Sequence, residues 1–390
     1  MNQRPSRFPG LDGLRGIAIL AVIGHNLQLL QEPDTRIGQL VEWGLDRGWI
    51  GVQLFFVLSG FLITGILLDS RRAPNYFQSF FARRALRIFP LYFLTLAGLF
   101  LLLPALGAIP AAMRPTPTEQ LPFWLYVSNW TQPTGFNAGD VTHFWSLAVE
   151  EQFYLVWPFL LRGRSVEATL RLSLAVASAS VAIRLVMLGF HVSPHKIYMF
   201  SVCRMDALAL GGAMAAAWRM PGAQRWLAPR WRSMLSSAAL LWLFGLVVTR
   251  GYPRLSAIDQ SIGYTILSLS MALVVGAAAS ADTLGAGGPV ALLRSRGLRL
   301  VGKYSYAIYL FHRPVSDLLG TRYLAPLLPQ TGSSVASTLI YLAAAFSVSF
   351  ALAALSYRFI EKPFLGLKSR FEADEPEWSP PGRGVTETGS

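Results

Sequence analysis

Residues 48–68 read GWIGVQLFFVLSGFLITGILL. No charged side chain interrupts the run, and Gln53 is its one amide. One bilayer crossing needs about 20 predominantly apolar residues, so this stretch alone is enough for a transmembrane helix. Working outward, further apolar runs fall near 14–30, 89–106, 144–161, 168–190, 200–218, 233–249, 260–280, 303–319 and 334–357. In hydrocarbon every backbone polar group must be paired within the segment, which makes these runs helices and not open strands. The expected fold is therefore all-α: a polytopic integral membrane protein with about ten transmembrane helices and no separate soluble domain.

Composition agrees along the whole chain. Of 390 residues, 53% are hydrophobic and only 14% charged, against about 25% charged in soluble domains. The net charge of +13 would suit a nucleic-acid binder, but the basic residues sit in short connections between apolar runs, so no nucleic-acid partner is expected. Alternate connections hold 22 Lys and Arg on one side and 7 on the other. By the positive-inside rule, the richer side and both termini face the cytoplasm. The first run lacks a small-residue cleavage site and reads as a helix, not a removable signal. With Cys203 as the one cysteine, neither an intramolecular disulfide nor a cysteine metal cluster can form, and no metal is expected. Residues 1–366 read as one transmembrane domain, and residues 367–390 as a polar, disordered cytoplasmic tail.

Ionisable residues within apolar runs mark functional sites by default. The first helix carries Arg15 and His25. Imidazole titrates near pH 6.5 and suits a general base, the alternative being a histidine hydrogen-bonded within the bundle. In YFQSFFARRALRIF, Arg83 and Arg87 share a helix face, with Arg84 beside them. Two readings stand: an interfacial helix reaching anionic lipid, or a clamp for the phosphates of cytoplasmic coenzyme A. In HFWSLAVEEQFYLVWP, Ser146, Glu150 and Tyr154 fall on one face, at i, i+4 and i+8. In KYSYAIYLFHRP, Ser305, Tyr309 and His312 do the same at i, i+4 and i+7. Arg204 and Asp206 are expected to pair with other spans, and His191 and His195 to be solvated in an outer loop.

Seven blocks in order resemble the bacterial acyltransferase 3 family of membrane O-acyltransferases. They are FPGLDGLRGIAIL…H, GVQLFFVLSGFLIT, RRALRIFPLYF, HFWSLAVEEQFYLVWP, RMDALALGG, SYAIYLFHRPV and FIEKPF. The resemblance covers about residues 7–366. It implies transfer of an acyl group, usually acetyl, from cytoplasmic acyl-CoA to a hydroxyl of a glycan, cell-surface polysaccharide or macrolide across the inner membrane. Acyl-CoA is then a co-substrate, not a bound cofactor. The family's arginine and histidine match Arg15 and His25, its basic element matches Arg84 and Arg87, and its acid matches Glu150. Catalysis is thus expected from His25, Arg15 and Glu150, with Arg15 or Tyr309 stabilising the oxyanion. Arg83, Arg84 and Arg87 would bind acyl-CoA, and Ser146, Tyr154, Tyr309 and His312 the acceptor.

The spacing departs from the family. Nine residues, not ten, separate Arg15 from His25, which rotates His25 by about 80° from the Arg15 face at about 100° per residue. Asn26 takes the usual position, but an amide is no base at neutral pH, so His25 is preferred. Some members carry a C-terminal hydrolase-like domain. This sequence ends soon after FIEKPF, so it is expected to finish transfer itself or with a separate periplasmic acyltransferase or polysaccharide-assembly proteins. A transporter or flippase of a glycan precursor is the rival class, since intramembrane Arg, His and Glu also serve transport.

Overall fold

The computed structural model describes residues 8–27, 33, 35–108, 114–131, 141–317 and 335–373. Among them the secondary structure is helical throughout. The helices of eight residues or more are α1 (Pro9–Leu27), α2 (Arg36–Asp46), α3 (Ile50–Asp69), α4 (Tyr76–Ala97), α5 (Pro117–Trp124), α6 (Trp145–Leu161), α7 (Val166–Gly189), α8 (Ser201–Arg219), α9 (Trp231–Val248), α10 (Tyr264–Leu284), α11 (Arg296–Val315) and α12 (Val335–Ser356).

Seven helical stretches are long and apolar enough to cross a membrane. They contain α3, α4, α7, α8, α9, α10 and α12. The other three runs of the expected ten are also helical, as α1, α6 and α11. These three carry Arg15 and His25, Glu150 and Glu151, and Lys303, His312 and Arg313 respectively. These polar residues are what lowers their hydropathy, and all but the exposed Lys303 are buried or half-buried. The outward faces of the others are apolar: Leu240 and Val247 on α9 are 68% and 76% exposed, as suits a surface that meets lipid.

Two crossings set the interior. A β-carbon on Gly16 of α1 would collide with the Leu298 carbonyl of α11, and one on Gly302 with the Asp12 carbonyl. Glycine alone permits this approach, and it brings α1 and α11 backbone to backbone. Gly60 of α3 and Gly211 of α8 meet the Leu208 and Val57 carbonyls in the same way. Beside that second crossing, Arg184 and Asp206 form a fully buried ion pair at 3.1 Å. Arg184 also donates to the Gln260 and Cys203 carbonyls at 2.6 and 2.7 Å. Arg204 donates to Gln53 and lies 4.3 Å over the Tyr264 ring. Both residues of the RMD element thus pair with other helices, as the sequence suggests.

The polar tail expected from residue 367 begins differently. Leu367–Phe371 forms a 3₁₀ turn, and Asn75 Nδ2 donates to the Glu372 carbonyl at 2.8 Å. This hydrogen bond fastens the segment beneath α4, and residues 374–390 lie outside the described residues, as do 109–113 and 132–140 of the long outer connection.

Candidate active site

Three cavities follow one another through the helices. The first, about 670 Å³, is lined by Arg15, Arg71, Arg72, Arg83, Arg84, Arg87 and Lys368. It lies at the end of α3 and the start of α4, the side richer in basic connections. The second, about 80 Å³, shares Arg15, Leu62, Ile63, Arg84 and Arg87 with the first. It adds Ser59, Ser146, Glu150, Glu151, Ser305, Tyr306 and Tyr309. The third, about 250 Å³, shares Val52 and Tyr309 with the second and holds His25, Asn26, His143, His195, Arg254 and Arg313. Shared walls make this a basic vestibule, a narrow neck and an outer chamber in series.

The arginines of α4 divide between depths. Arg83 is exposed at the mouth, while Arg84 and Arg87 are half-buried and reach both vestibule and neck. The inward pair is therefore i, i+3, and not the i, i+4 pair of Arg83 and Arg87. Arg71, Arg72 and Lys368 join them from the α3–α4 turn and the C-terminal segment, contributions the sequence did not signal. The guanidinium of Arg84 lies 3.9 Å over the Tyr154 ring, a cation–π contact that holds it against α6.

At the neck, Glu150 accepts from Ser59 Oγ at 2.7 Å and from Tyr154 OH at 3.0 Å. Ser146 and Glu150 line the neck, and Tyr154 stands behind Glu150, so the i, i+4, i+8 face is real. The hydroxyls of Ser146 and Tyr309 are 2.6 Å apart, and Tyr309 donates to the His143 carbonyl at 2.8 Å. Tyr306 donates to the Ile88 carbonyl at 3.0 Å, tying α11 to α4. The Arg15 Nε is buried without a hydrogen-bond partner.

The outer chamber resolves the spacing of the first helix. α1 runs unbroken as an α-helix to Leu27, with no tighter turn to compensate, so residues 25 and 26 point differently. Asn26 faces α11, and its Nδ2 lies 2.9 Å from His312 Nε2. The Cβ of His25 packs against Gly48, and its Nε2 lies 2.9 Å from Arg254 Nη1. Arginine can only donate. His25 Nε2 is therefore the acceptor, and the neutral ring carries its proton on Nδ1.

A second tautomer is fixed nearby. His312 Nδ1 and His143 Nε2 lie 2.7 and 2.9 Å from the same Tyr309 carbonyl. Each must donate there, which leaves His312 Nε2 to accept from Asn26. His312 is 0% exposed and supports the chamber wall instead of lining it, whereas Tyr309 lines both neck and chamber. His191 and His195 are exposed, as expected, with His195 at the chamber rim. His143 had a signal, standing three residues before Ser146 in a block already singled out. Arg254 had none.

The ten-residue step from Arg15 to His25 corresponds to about 15 Å along the helix axis. The two therefore serve opposite ends of the path, Arg15 at the vestibule and neck and His25 in the chamber. Among the described residues no group of three His, Cys, Asp or Glu could hold a metal.

A bundle of membrane-length helices around a polar path, with guanidinium groups at one mouth and imidazoles at the other, defines a class: a polytopic membrane protein with a polar interior path. Comparison with known proteins gives the family. The model of the acyltransferase 3 family, an acyltransferase domain, matches residues 8–358, and the chain belongs to that family. It is 27% identical over 380 residues to the O-acetyltransferase OatA of Staphylococcus aureus (strain NCTC 8325 / PS 47), covering 92% of this chain and 57% of that protein. It is 27% identical over 379 residues to the peptidoglycan O-acetyltransferase OatA of Listeria monocytogenes serovar 1/2a, covering 91% and 55%. To the putative peptidoglycan O-acetyltransferase YrhL of Bacillus subtilis (strain 168) it is 29% identical over 378 residues, covering 91% and 54%. The chain thus spans little more than half the length of these relatives. No solved structure matches it.

Proposed function

We propose that the protein is an O-acetyltransferase of the bacterial inner membrane, with both termini cytoplasmic, and that it moves acetyl from cytoplasmic acetyl-CoA to a hydroxyl of a cell-surface glycan. The observation that carries this reading is the series of cavities, basic at the cytoplasmic mouth and imidazole-lined at the outer end. The names of the relatives favour a polysaccharide acceptor over a macrolide.

Arg83, Arg84 and Arg87 hold the coenzyme's phosphates, since planar guanidinium groups match phosphate oxygens in pairs. Arg71, Arg72 and Lys368 add charge around them. Arg15 and Glu150 orient the pantetheine arm through the neck. The thioester carbonyl comes to the wall shared by neck and chamber, where the Ser146–Tyr309 hydroxyl pair is the nearest donor set for its developing charge once the Tyr309 proton turns from the His143 carbonyl. This shifts oxyanion stabilisation from Arg15 to Tyr309 and Ser146, because Arg15 lies too far from His25. The acceptor hydroxyl enters the chamber and attacks the carbonyl carbon. The new C–O bond forms, the C–S bond breaks, and His25 Nε2 takes the hydroxyl proton and passes it to the departing thiolate.

The test is transfer of radiolabelled acetyl from acetyl-CoA by protein reconstituted in lipid. His25→Ala is expected to lower the rate by about 10²–10⁴-fold, the usual worth of a general base. Arg84→Ala with Arg87→Ala is expected to raise the KM for acetyl-CoA at least about tenfold, which corresponds to about 1.4 kcal/mol. Wild-type turnover in the histidine variant removes His25 from the mechanism. An unchanged KM returns the arginines to a lipid-anchoring role. Glycan movement with no acetyl-CoA turnover identifies a transporter.

A further inference from the structure

The base of the proposed mechanism is masked in this structure. His25 Nε2, the one ring nitrogen able to take a proton, already accepts a hydrogen bond from Arg254 at 2.9 Å. A guanidinium does not give up its proton in a protein, so while that contact stands His25 cannot accept one from a substrate. Something must draw Arg254 away.

Arg254 is built to be drawn. It lies in the connection between α9 and α10, half-buried on the chamber wall. Its side chain is 5.5 Å from the Tyr198 ring, and its backbone carbonyl accepts from Tyr264 OH. The backbone is thus held, while the guanidinium has only neutral partners, the Tyr198 ring and the His25 imidazole, and forms no ion pair among the described residues. The charged neighbours acting on His25 are Arg254, Asp46 and Arg313, and Arg313 is itself beside Asp317. No carboxylate lines the chamber among the described residues, while Trp49, Trp145 and Tyr198 are part of its wall. A half-buried guanidinium without a counter-ion, in a chamber with aromatic walls, recognises an oxyanion on a saccharide.

We infer that Arg254 is a positioning residue that selects an acidic sugar as acceptor: the sugar's oxyanion takes the Arg254 N–H groups and thereby frees His25 Nε2 for the acceptor hydroxyl. Binding and activation are then one event, and without an acidic acceptor the base stays masked, so acetyl-CoA is not spent on water. The catalytic consequence rests on the proposed role of His25. The recognition itself does not.

The experiment uses the full chain in lipid nanodiscs. Diethyl pyrocarbonate modifies unprotonated imidazole nitrogen, and mass spectrometry reads the modification of His25. The probes are methyl β-D-glucuronide, glucose 6-phosphate and neutral methyl β-D-glucoside. A bond from a charged donor suppresses the free base at least about tenfold. The glucuronide or the phosphate should therefore speed His25 modification about tenfold, the more effective one identifying the oxyanion, and the glucoside should not. Arg254→Ala should react fast without any probe and ignore all three. If that variant does not fold, Arg254→Met keeps an unbranched apolar stem and removes the donors. Equal modification with all probes, or protection by the acids, overturns the inference. Acetyl transfer to the same probes separates the two claims. Transfer without acid preference and without a change at His25 leaves the proposed function standing and the inference fallen. The expected modification pattern without acetyl transfer does the reverse.

Discussion

Asn26 and Glu150 show what single side chains do in this interior. Asn26 donates to His312 Nε2, whose other nitrogen is committed to the Tyr309 carbonyl. Removing the amide leaves a buried acceptor with nothing to bond, at a cost of about 1–3 kcal/mol. Asn26→Ala should therefore lower the melting temperature measured by intrinsic fluorescence, while KM for acetyl-CoA holds, because the vestibule is untouched. An unshifted melting temperature would mean that His312 finds another donor. Glu150 is different, since Ser59 and Tyr154 already satisfy its carboxylate. Glu150→Gln keeps the shape and removes the charge that faces Arg15 and Arg84. We expect turnover to fall at least about tenfold, or about 1.4 kcal/mol in barrier, with the melting temperature held. Full turnover in that variant would reduce Glu150 to a structural acceptor.

Helices meet in this bundle where glycine allows it, and the site depends on one such meeting. Gly16 and Gly302 let α1 and α11 touch along their backbones, which is what brings Asn26 to His312. Gly302→Ala forces the two apart at a backbone carbonyl that no side-chain motion can relieve. Overpacking of this kind costs about 1–3 kcal/mol or more, and loss of both melting temperature and activity is expected. Gly297→Ala, on the same helix with open space around it, should show neither loss. If the two variants behave alike, the crossing is not what sets the site. This scale also marks how far the sequence could be read. The helices were legible because hydrocarbon leaves a buried backbone no alternative, and the inward faces of α6 and α11 because helical spacing places Ser146 with Glu150 and Ser305 with Tyr309. The rotation of His25 from the Arg15 face was legible too, from one missing residue. What spacing could not supply was the partner of each polar group: Arg254 is 229 positions from His25, and His312 is 286 from Asn26. Nor did spacing reveal that Arg84 and Arg87, and not Arg83 and Arg87, turn inward, since that depends on where α6 presents Tyr154.

Taken whole, the proposed path separates two chemistries that would otherwise compete. The vestibule is wide and cationic, the neck is narrow, and the chamber is small and walled by aromatic rings, with volumes of about 670, 80 and 250 Å³. On the proposed reading the nucleotide takes the first of these and the sugar the last, so donor and acceptor approach from opposite faces and meet at the Tyr309 wall. Phosphate held by several guanidinium groups at a solvent-open mouth is also subject to salt screening, whose range falls from about 10 Å at 0.1 M to about 3 Å at 1 M. Raising salt across that range should increase the KM for acetyl-CoA several-fold. The KM for the acceptor should change less, since a half-buried contact is screened less than one at an open mouth. The sidedness can be measured directly in proteoliposomes of known orientation. With labelled acetyl-CoA outside, at the face carrying Arg83, and the acceptor trapped in the lumen, the lumenal sugar should become labelled while the vesicles stay sealed to both reactants. Placing both reactants on the Arg83 side should give no labelled sugar. If labelling instead requires donor and acceptor on the same face, the series of cavities is not the reaction path, and the chamber around His25 serves some other ligand.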